Sequence, residues 1–247
     1  MAQGVFKFKL FEPFGIPVYV DLSFLVVLFL MAGPGVSLAE GVLLAAALAF
    51  SIVAHELGHS LTARAFGYPT KDITISILGG CASLIALPRK PWQEFLTAVA
   101  GPATSFALSF SSLFLLSLVP ARAVGLADFL VYMYWLNFML GVFNLLPGFP
   151  MDGGRVFRSF MCAFTTRQKA TYVAMVVGRV FAVLLGISGL YRIVNGYNWG
   201  FVTCLIAWMV WREGYREYLA ARFEEWSGGW SQADFNARVS PPPYGRD

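Results

Sequence analysis

The two histidines of this chain, His55 and His59, are four residues apart, and Glu56 follows the first of them. On a helix, residues four apart lie on one face about one turn apart, so both imidazoles reach a single metal ion. Imidazole is a preferred zinc ligand, and a glutamate in this position reaches a metal-bound water as its general base. A chance match is the alternative, but both histidines fall at metal spacing inside an apolar segment, where unpartnered polar groups are costly.

A second group of polar residues follows a later apolar run. Asp152 lies in the segment 147–154, whose two prolines and three glycines interrupt any helix. Irregular backbone at membrane depth is tolerated where it lines a polar cavity or is buried in protein. The Asp152 carboxylate is therefore a candidate third zinc ligand, which leaves the fourth position open for water. An ordinary turn aspartate before two glycines is the alternative.

The elements that hold these residues are predicted to span a membrane. Hydrophobic residues make up 57% of the 247 residues and charged residues 13%, and the mean hydropathy is +0.64. Several segments exceed the roughly 18 to 20 apolar residues that cross a bilayer. We therefore expect an all-α polytopic protein in contact with the lipid bilayer. The net charge of +4 is assigned to loops at the membrane surface, and no pattern indicates nucleic-acid binding.

The apolar runs and the turn signals between them predict about six spans within a domain at 17–215. Residues 1–16 are expected to form an amphipathic lead at the membrane surface, and residues 216–247 a polar, flexible tail. The run after Pro17 lacks a small-residue cleavage pattern, so it is interpreted as the first span rather than a removable signal peptide. The predicted spans are Val18–Met31, Ser37–Phe66, Glu94–Leu118, Val124–Leu146, Ala170–Val194 and Trp199–Trp211.

A small membrane-associated sheet is predicted between the second and third spans. Ile73, Ile75 and Ile77 alternate with polar residues, and this period of two is typical of a strand. After two glycines, residues 81–87 return as the second strand of a hairpin. Two interpretations stay open at this point: a surface hairpin of no special role, or an edge strand that accepts an extended substrate by strand addition.

The distribution of basic residues predicts the topology. With six spans, all of the 18 Lys and Arg residues lie on the side of the two termini except Arg122, Arg179 and Arg192. The positive-inside rule then places both termini in the cytoplasm, for a multi-pass protein of the cell membrane if the source is prokaryotic. Arg179 falls within the fifth span and is interpreted as structural, with a carboxylate or carbonyl partner. The three cysteines lack the spacing of a disulfide framework or a thiolate zinc site.

His55, Glu56 and His59 in one span, combined with Asn144 and Asp152 after another, resemble the motifs of the site-2 proteases. These are intramembrane zinc metalloproteases that cleave membrane-embedded segments of other proteins. The resemblance covers residues 10–215. It implies one Zn²⁺ per chain, held by His55, His59 and Asp152, with Glu56 activating the zinc-bound water. It also implies that Asn144 helps to hold the substrate or the oxyanion.

Other parts of the chain resemble the same family. The hairpin at 72–87 is similar to its membrane-associated sheet, and Gly101-Pro102 is similar to its small-residue motif in the third span. Met151 stands where the family usually has leucine, and Ser105 stands where many relatives carry asparagine. Neither a PDZ domain nor a pair of CBS domains is expected.

The implied function is hydrolysis of peptide bonds in or near the transmembrane segment of a single-span membrane protein, with any regulatory membrane partner unidentified. A zinc transporter or a non-proteolytic scaffold is the alternative, because histidine and aspartate inside spans also mark ion pathways. A transporter needs ligands along a path across the membrane. Here the candidate ligands are predicted to cluster toward one face, beside a glutamate placed for catalysis, and this favours the protease.

Overall fold

The structure is a computed structural model that describes residues 7–26, 35–76, 79–85, 88, 90–197 and 199–226. The chain divides into two compact units. The first contains the described residues up to Leu146 together with Met151–Val156, and the second contains Pro147–Pro150 and the described residues from Phe157 onward.

The first unit contains a four-stranded sheet in the order β1-β2-β3-β4. Strands β1 and β2 are antiparallel, β2 and β3 are parallel, and β3 and β4 form an antiparallel hairpin. The hairpin predicted from the alternation at 73–77 is thus present, although residues 77–78 and 86–87 lie outside the described part. Among the described strands, β4 forms one edge of the sheet. The strands are β1 (Lys7–Phe11), β2 (Val18–Asp21), β3 (Thr70–Ser76) and β4 (Gly79–Leu84).

The start of the predicted first span is wrong. Val18–Asp21 is strand β2, and Lys7–Phe11 of the expected amphipathic lead is strand β1. Val18 is fully buried and pairs with Ile73, a residue far along the chain. Neighbouring residues in the sequence do not indicate such a non-local pairing. Val18 was therefore assigned to the apolar run that follows it. Residues 27–31 of the predicted span lie outside the described residues.

One helix of the first unit packs against the sheet, and the long helices pack against one another. Helix α1 contacts β3 and β4 and packs against α2, which in turn packs against α3. A capping box begins α1, because the Ser37 hydroxyl accepts from the Glu40 N–H and the Glu40 carboxylate accepts from the Ser37 N–H. The bounds are α1 (Leu38–Ala65), α2 (Pro91–Leu116) and α3 (Val124–Asn144). The short α4 (Asp152–Met161) begins in this unit, and its residues from Phe157 onward belong to the second.

The second unit is built on two long helices, α5 (Arg167–Val194) and α6 (Trp199–Trp226), which pack against each other. Helix α6 continues past position 216, where the polar tail was expected to begin. Arg179 of α5 lies over the rings of Trp211 at 4.6 Å and Tyr215 at 5.3 Å, so aromatic faces meet its guanidinium where a carboxylate or carbonyl was expected.

Four helices of the described residues, α1, α2, α3 and α5, are long and apolar enough to cross a membrane. This confirms a mostly helical, polytopic membrane protein with a small sheet. It does not confirm six spans. The apolar run of α6 ends at Trp211, with Arg212, Glu213 and Arg216 directly after it, and the first predicted span begins as a strand.

Candidate metal centre

Three side chains from α1 and α4 converge on one point of the first unit. Asp152 Oδ2 lies 3.1 Å from His55 Nε2 and 3.0 Å from His59 Nε2, and the two Nε2 atoms are 3.2 Å apart. Tetrahedral ligands that are about 2.0 to 2.2 Å from zinc are themselves about 3.3 Å apart. The donor spacing of these three residues, here called the triad, therefore fits a zinc ion.

The outer nitrogens of the two imidazoles are held from α2. His59 Nδ1 lies 2.7 Å from the Thr97 carbonyl oxygen, and His55 Nδ1 lies 2.9 Å from Ser105 Oγ. A carbonyl oxygen only accepts, so Nδ1 of His59 carries a proton, and Nε2 is the nitrogen that faces the candidate metal position. Both histidines are buried, so these bonds fix the orientation of the rings.

A glycine lets α2 approach the triad closely. A Cβ atom at Gly101 would lie 2.7 Å from His55 Nε2 and would also collide with the His59 ring. Small residues at such crossings allow helix backbones to approach in lipid. Position 101 therefore has a steric role at the site, which accounts for the glycine there.

Asp152 is the first residue of α4, where the helix dipole favours a negative charge. Burial opposes ionisation, but hydrogen bonds with His55 and His59 outweigh it and hold the pKa of the Asp152 carboxyl below its ordinary value. The next residue, Gly153, is packed so closely that a Cβ atom would collide with the carbonyl oxygens of Leu145 and Leu146. The aspartate is thus held against the histidines, which the interpretation as an ordinary turn residue does not explain.

Glu56 lies beside strand β4. Its Oε2 accepts a hydrogen bond of 3.2 Å from the Ala82 N–H. Gly80 lies under its stem, because a Cβ atom there would be 2.6 Å from Glu56 Cγ and 2.9 Å from Oε1. The predicted catalytic base is thus adjacent to the triad in sequence and in contact with the edge strand.

Asn144, the last residue of α3, makes a local contact. Its Nδ2 donates to the Leu140 carbonyl at 2.9 Å, so a role in holding substrate stays a prediction. Asn137 is fully buried and donates to Ser51 Oγ and to the Met133 carbonyl, both at 3.0 Å. Its side chain points into the bundle, as expected for an amide in hydrocarbon.

Sequence reasoning missed the roles of Thr97, Ser105 and Ala82. A ligating histidine needs a partner for its second nitrogen, and this rule directs attention to polar residues in neighbouring spans such as Ser105. The contacts of Thr97 and Ala82 are made by backbone groups, and no residue type signals those.

The chain is similar to a known peptidase family and to curated zinc metalloproteases. The model of peptidase family M50 matches residues 43–121 and 117–185. A putative zinc metalloprotease of Synechocystis sp., sll0528, is 37% identical over 215 residues, which cover 80% of this chain and 56% of that protein. The zinc metalloprotease MJ0392 of Methanocaldococcus jannaschii is 32% identical over 189 residues, which cover 75% and 54% respectively. The chain thus spans about half the length of these relatives.

A solved structure is also similar. The site-2 protease from Methanocaldococcus jannaschii matches with a TM-score of 0.65 and 29% identity, covering 86% of this chain and 95% of that one. The family model extends over more than half of the chain and includes the His55–His59 pair and Asp152. The resemblance read from the motifs is therefore confirmed, and the chain belongs to peptidase family M50, the family of the site-2 proteases.

Proposed function

We propose that this chain is an intramembrane zinc metalloprotease that hydrolyses peptide bonds in or near transmembrane segments of other membrane proteins. The observation that carries the proposal is the triad of His55, His59 and Asp152, whose ligand atoms lie 3.0 to 3.2 Å from one another. Membership of peptidase family M50 and the two relatives named as zinc metalloproteases support it.

The donor set suits Zn²⁺ as a resident cofactor. Hydrolytic zinc sites combine three protein ligands of imidazole and carboxylate type with one open position. When bound, zinc lowers the pKa of water toward neutrality and polarises the scissile carbonyl. Thr97 and Ser105 orient the imidazoles so that both Nε2 atoms face the same point as Asp152 Oδ2.

Glu56 is the residue that moves the proton. It follows a triad ligand directly in sequence and has a flexible carboxylate. In the proposed reaction this carboxylate accepts a proton from the attacking water and delivers it to the leaving amine. Asn144 is proposed to hold the substrate or the oxyanion, from the end of α3.

The substrate must be presented as an extended chain, because an intact helix keeps its carbonyl groups in its own hydrogen bonds. Strand β4 is an edge of the sheet that the described strands form, and it passes beside Glu56. This arrangement supports the interpretation of the hairpin as a strand-addition site over that of a surface hairpin without a role. A single-span protein with a locally unwound segment is the proposed substrate class.

The proposed orientation has both termini in the cytoplasm, with the triad opening toward that side. It rests on the distribution of Lys and Arg residues, of which only Arg122, Arg179 and Arg192 fall elsewhere. Cysteine-accessibility labelling at either face of the membrane tests this orientation independently of activity.

The deciding experiment is cleavage of a panel of model single-span substrates by the purified protein, with wild type beside Glu56→Gln. We expect about one zinc per chain in both proteins and a loss of activity in the variant of at least about 10²-fold. Zinc in both proteins with no cleavage by either across the panel would overturn the protease in favour of a transporter or scaffold.

A further inference from the structure

Among the described residues, one side of the β4 backbone pairs with no other strand, and this side faces Glu56. Ala82 is paired with Ile73 of β3 in an antiparallel register. In such a pair, the N–H and C=O groups of one residue both face the partner strand or both face away. The Ala82 N–H donates to Glu56 Oε2, so both backbone groups of Ala82 face away from β3. Gly80, two residues earlier, shares this orientation.

An added strand would pair with these same groups. Strand addition uses the free N–H and C=O groups of an edge, one residue in two. On β4 this means Gly80 and Ala82. Two acceptors therefore compete for the Ala82 N–H: the Glu56 carboxylate and a backbone carbonyl of an extended substrate.

Glu56 packs closely against the edge of β4 at Gly80. Gly80 has no side chain, and a Cβ atom there would be 2.6 Å from both Glu56 Cγ and Ile52 Cγ2. The methylene groups of Glu56 thus pack on the Gly80 backbone, and its carboxylate accepts from the Ala82 N–H. A larger residue at position 80 would displace the glutamate, so the glycine allows this placement.

We propose that the Ala82 N–H is a shared donor that couples substrate pairing to release of the catalytic base. Without substrate it holds Glu56. When an extended chain adds to β4, a substrate carbonyl takes over the N–H, and both Glu56 oxygens become available to the attacking water. The proposal rests on the proposed proteolytic function and deepens it, because the base is released only beside a chain that has already unwound.

Two inactive variants separate this coupling from a fixed contact. Glu56→Gln keeps an oxygen that accepts from the Ala82 N–H, whereas Glu56→Ala removes the acceptor. Binding of a synthetic single-span peptide with a helix-breaking Asn-Gly in its span is measured for both, after their zinc contents are matched. Because substrate competes with the side chain only in Glu56→Gln, we expect Glu56→Ala to bind the peptide about three- to tenfold more tightly.

The donor itself is tested by removing it. Proline is tolerated on an edge strand where the N–H faces outward, so Ala82→Pro deletes this one donor. In that background the two Glu56 variants should bind the peptide equally, while in the matched Ala82→Gly background the difference should persist. Hydrogen exchange of the Ala82 amide reports folding and the contact together. It should be slow in wild type and Glu56→Gln, fast in Glu56→Ala, and slow again when peptide is added to Glu56→Ala.

Equal peptide binding by the two Glu56 variants, or binding by neither, overturns the coupling. So does fast exchange of the Ala82 amide in the wild type. Wild-type cleavage is scored separately, so a failure of the coupling is distinguishable from a failure of the proposed function.

Discussion

Both units of this apolar protein bury polar side chains, but the surroundings of these side chains differ between the two units. In the first unit, His55, His59 and Asp152 direct their ligand atoms at one point. In the second, the buried guanidinium of Arg158 lies 4.8 Å over the ring of Phe149 and its Nη1 lies 3.7 Å from Glu217. The first arrangement leaves ligand atoms that can bind a cation, whereas the second pairs its positive charge with a carboxylate and an aromatic ring of the protein.

This difference identifies the site better than burial or charge does. Arg158 is more deeply buried than either histidine, with 2% of its surface exposed against 4% and 8%. Buried ionisable groups in membrane proteins are commonly functional, and by that rule alone Arg158 would be the stronger candidate. Convergence of several ligand atoms on one point is the feature that separates a chemical site from a structural one.

The largest effect is expected from Asp152→Asn, which keeps the shape of the side chain and removes its charge. Removing the partner of a metal ligand typically weakens metal binding by roughly 10- to 100-fold. Loss of a charged ligand itself should weaken zinc binding by more than that. Competition with a chelator measures the affinity. Glu217→Gln, which removes the carboxylate that pairs with Arg158 in the second unit, is the control and should bind zinc like the wild type. Equal losses in both variants would remove the distinction between the units.

A steric test follows from Gly101. Gly101→Ala places a methyl group 2.7 Å from His55 Nε2, so the rings must move and zinc affinity should fall by about 10- to 100-fold. Gly186→Ala in α5 is the matched control, because its nearest neighbour would be the Ala207 Cβ at 3.9 Å. Calorimetry or chelator competition compares the two. If Gly101→Ala left the zinc affinity unchanged, α2 would not constrain the histidines.

The hydrogen bond from His55 to Ser105 should have a smaller effect. Ser105→Ala removes the partner of Nδ1 and should weaken zinc binding by about tenfold. Ser105→Asn, which introduces the residue that the family resemblance implies at this position, should restore it. Ser109→Ala, one turn further along α2, loses only a bond to the Tyr134 carbonyl and should leave zinc affinity unchanged. A failure of the asparagine to restore binding would indicate that Ser105 acts through packing.

The same comparison explains what the sequence could and could not predict. Local sequence patterns predicted the helices, the hairpin and the proximity of His55 to His59, because a helix or hairpin brings residues close in sequence together. The helix break before Asp152 made it a candidate. The parallel pairing of Val18 with Ile73 was missed because the two residues are distant in sequence and β2 merges with an apolar run. The Ala82 contact was missed because a backbone donor is common to every residue except proline.

The smallest effect is expected in the second unit, from Arg158→Lys. Lysine keeps the positive charge near Glu217 but loses the flat guanidinium that stacks on Phe149, and such a change should cost about 1 kcal/mol of unfolding free energy. Unfolding in detergent, followed by circular dichroism, measures this cost beside Arg216→Lys, which alters an exposed pair with Glu213. Zinc affinity should be unchanged in both variants. If Arg158→Lys instead weakened zinc binding as strongly as Ser105→Ala, this cation would belong to the chemistry after all, and the contrast between the two units would fail.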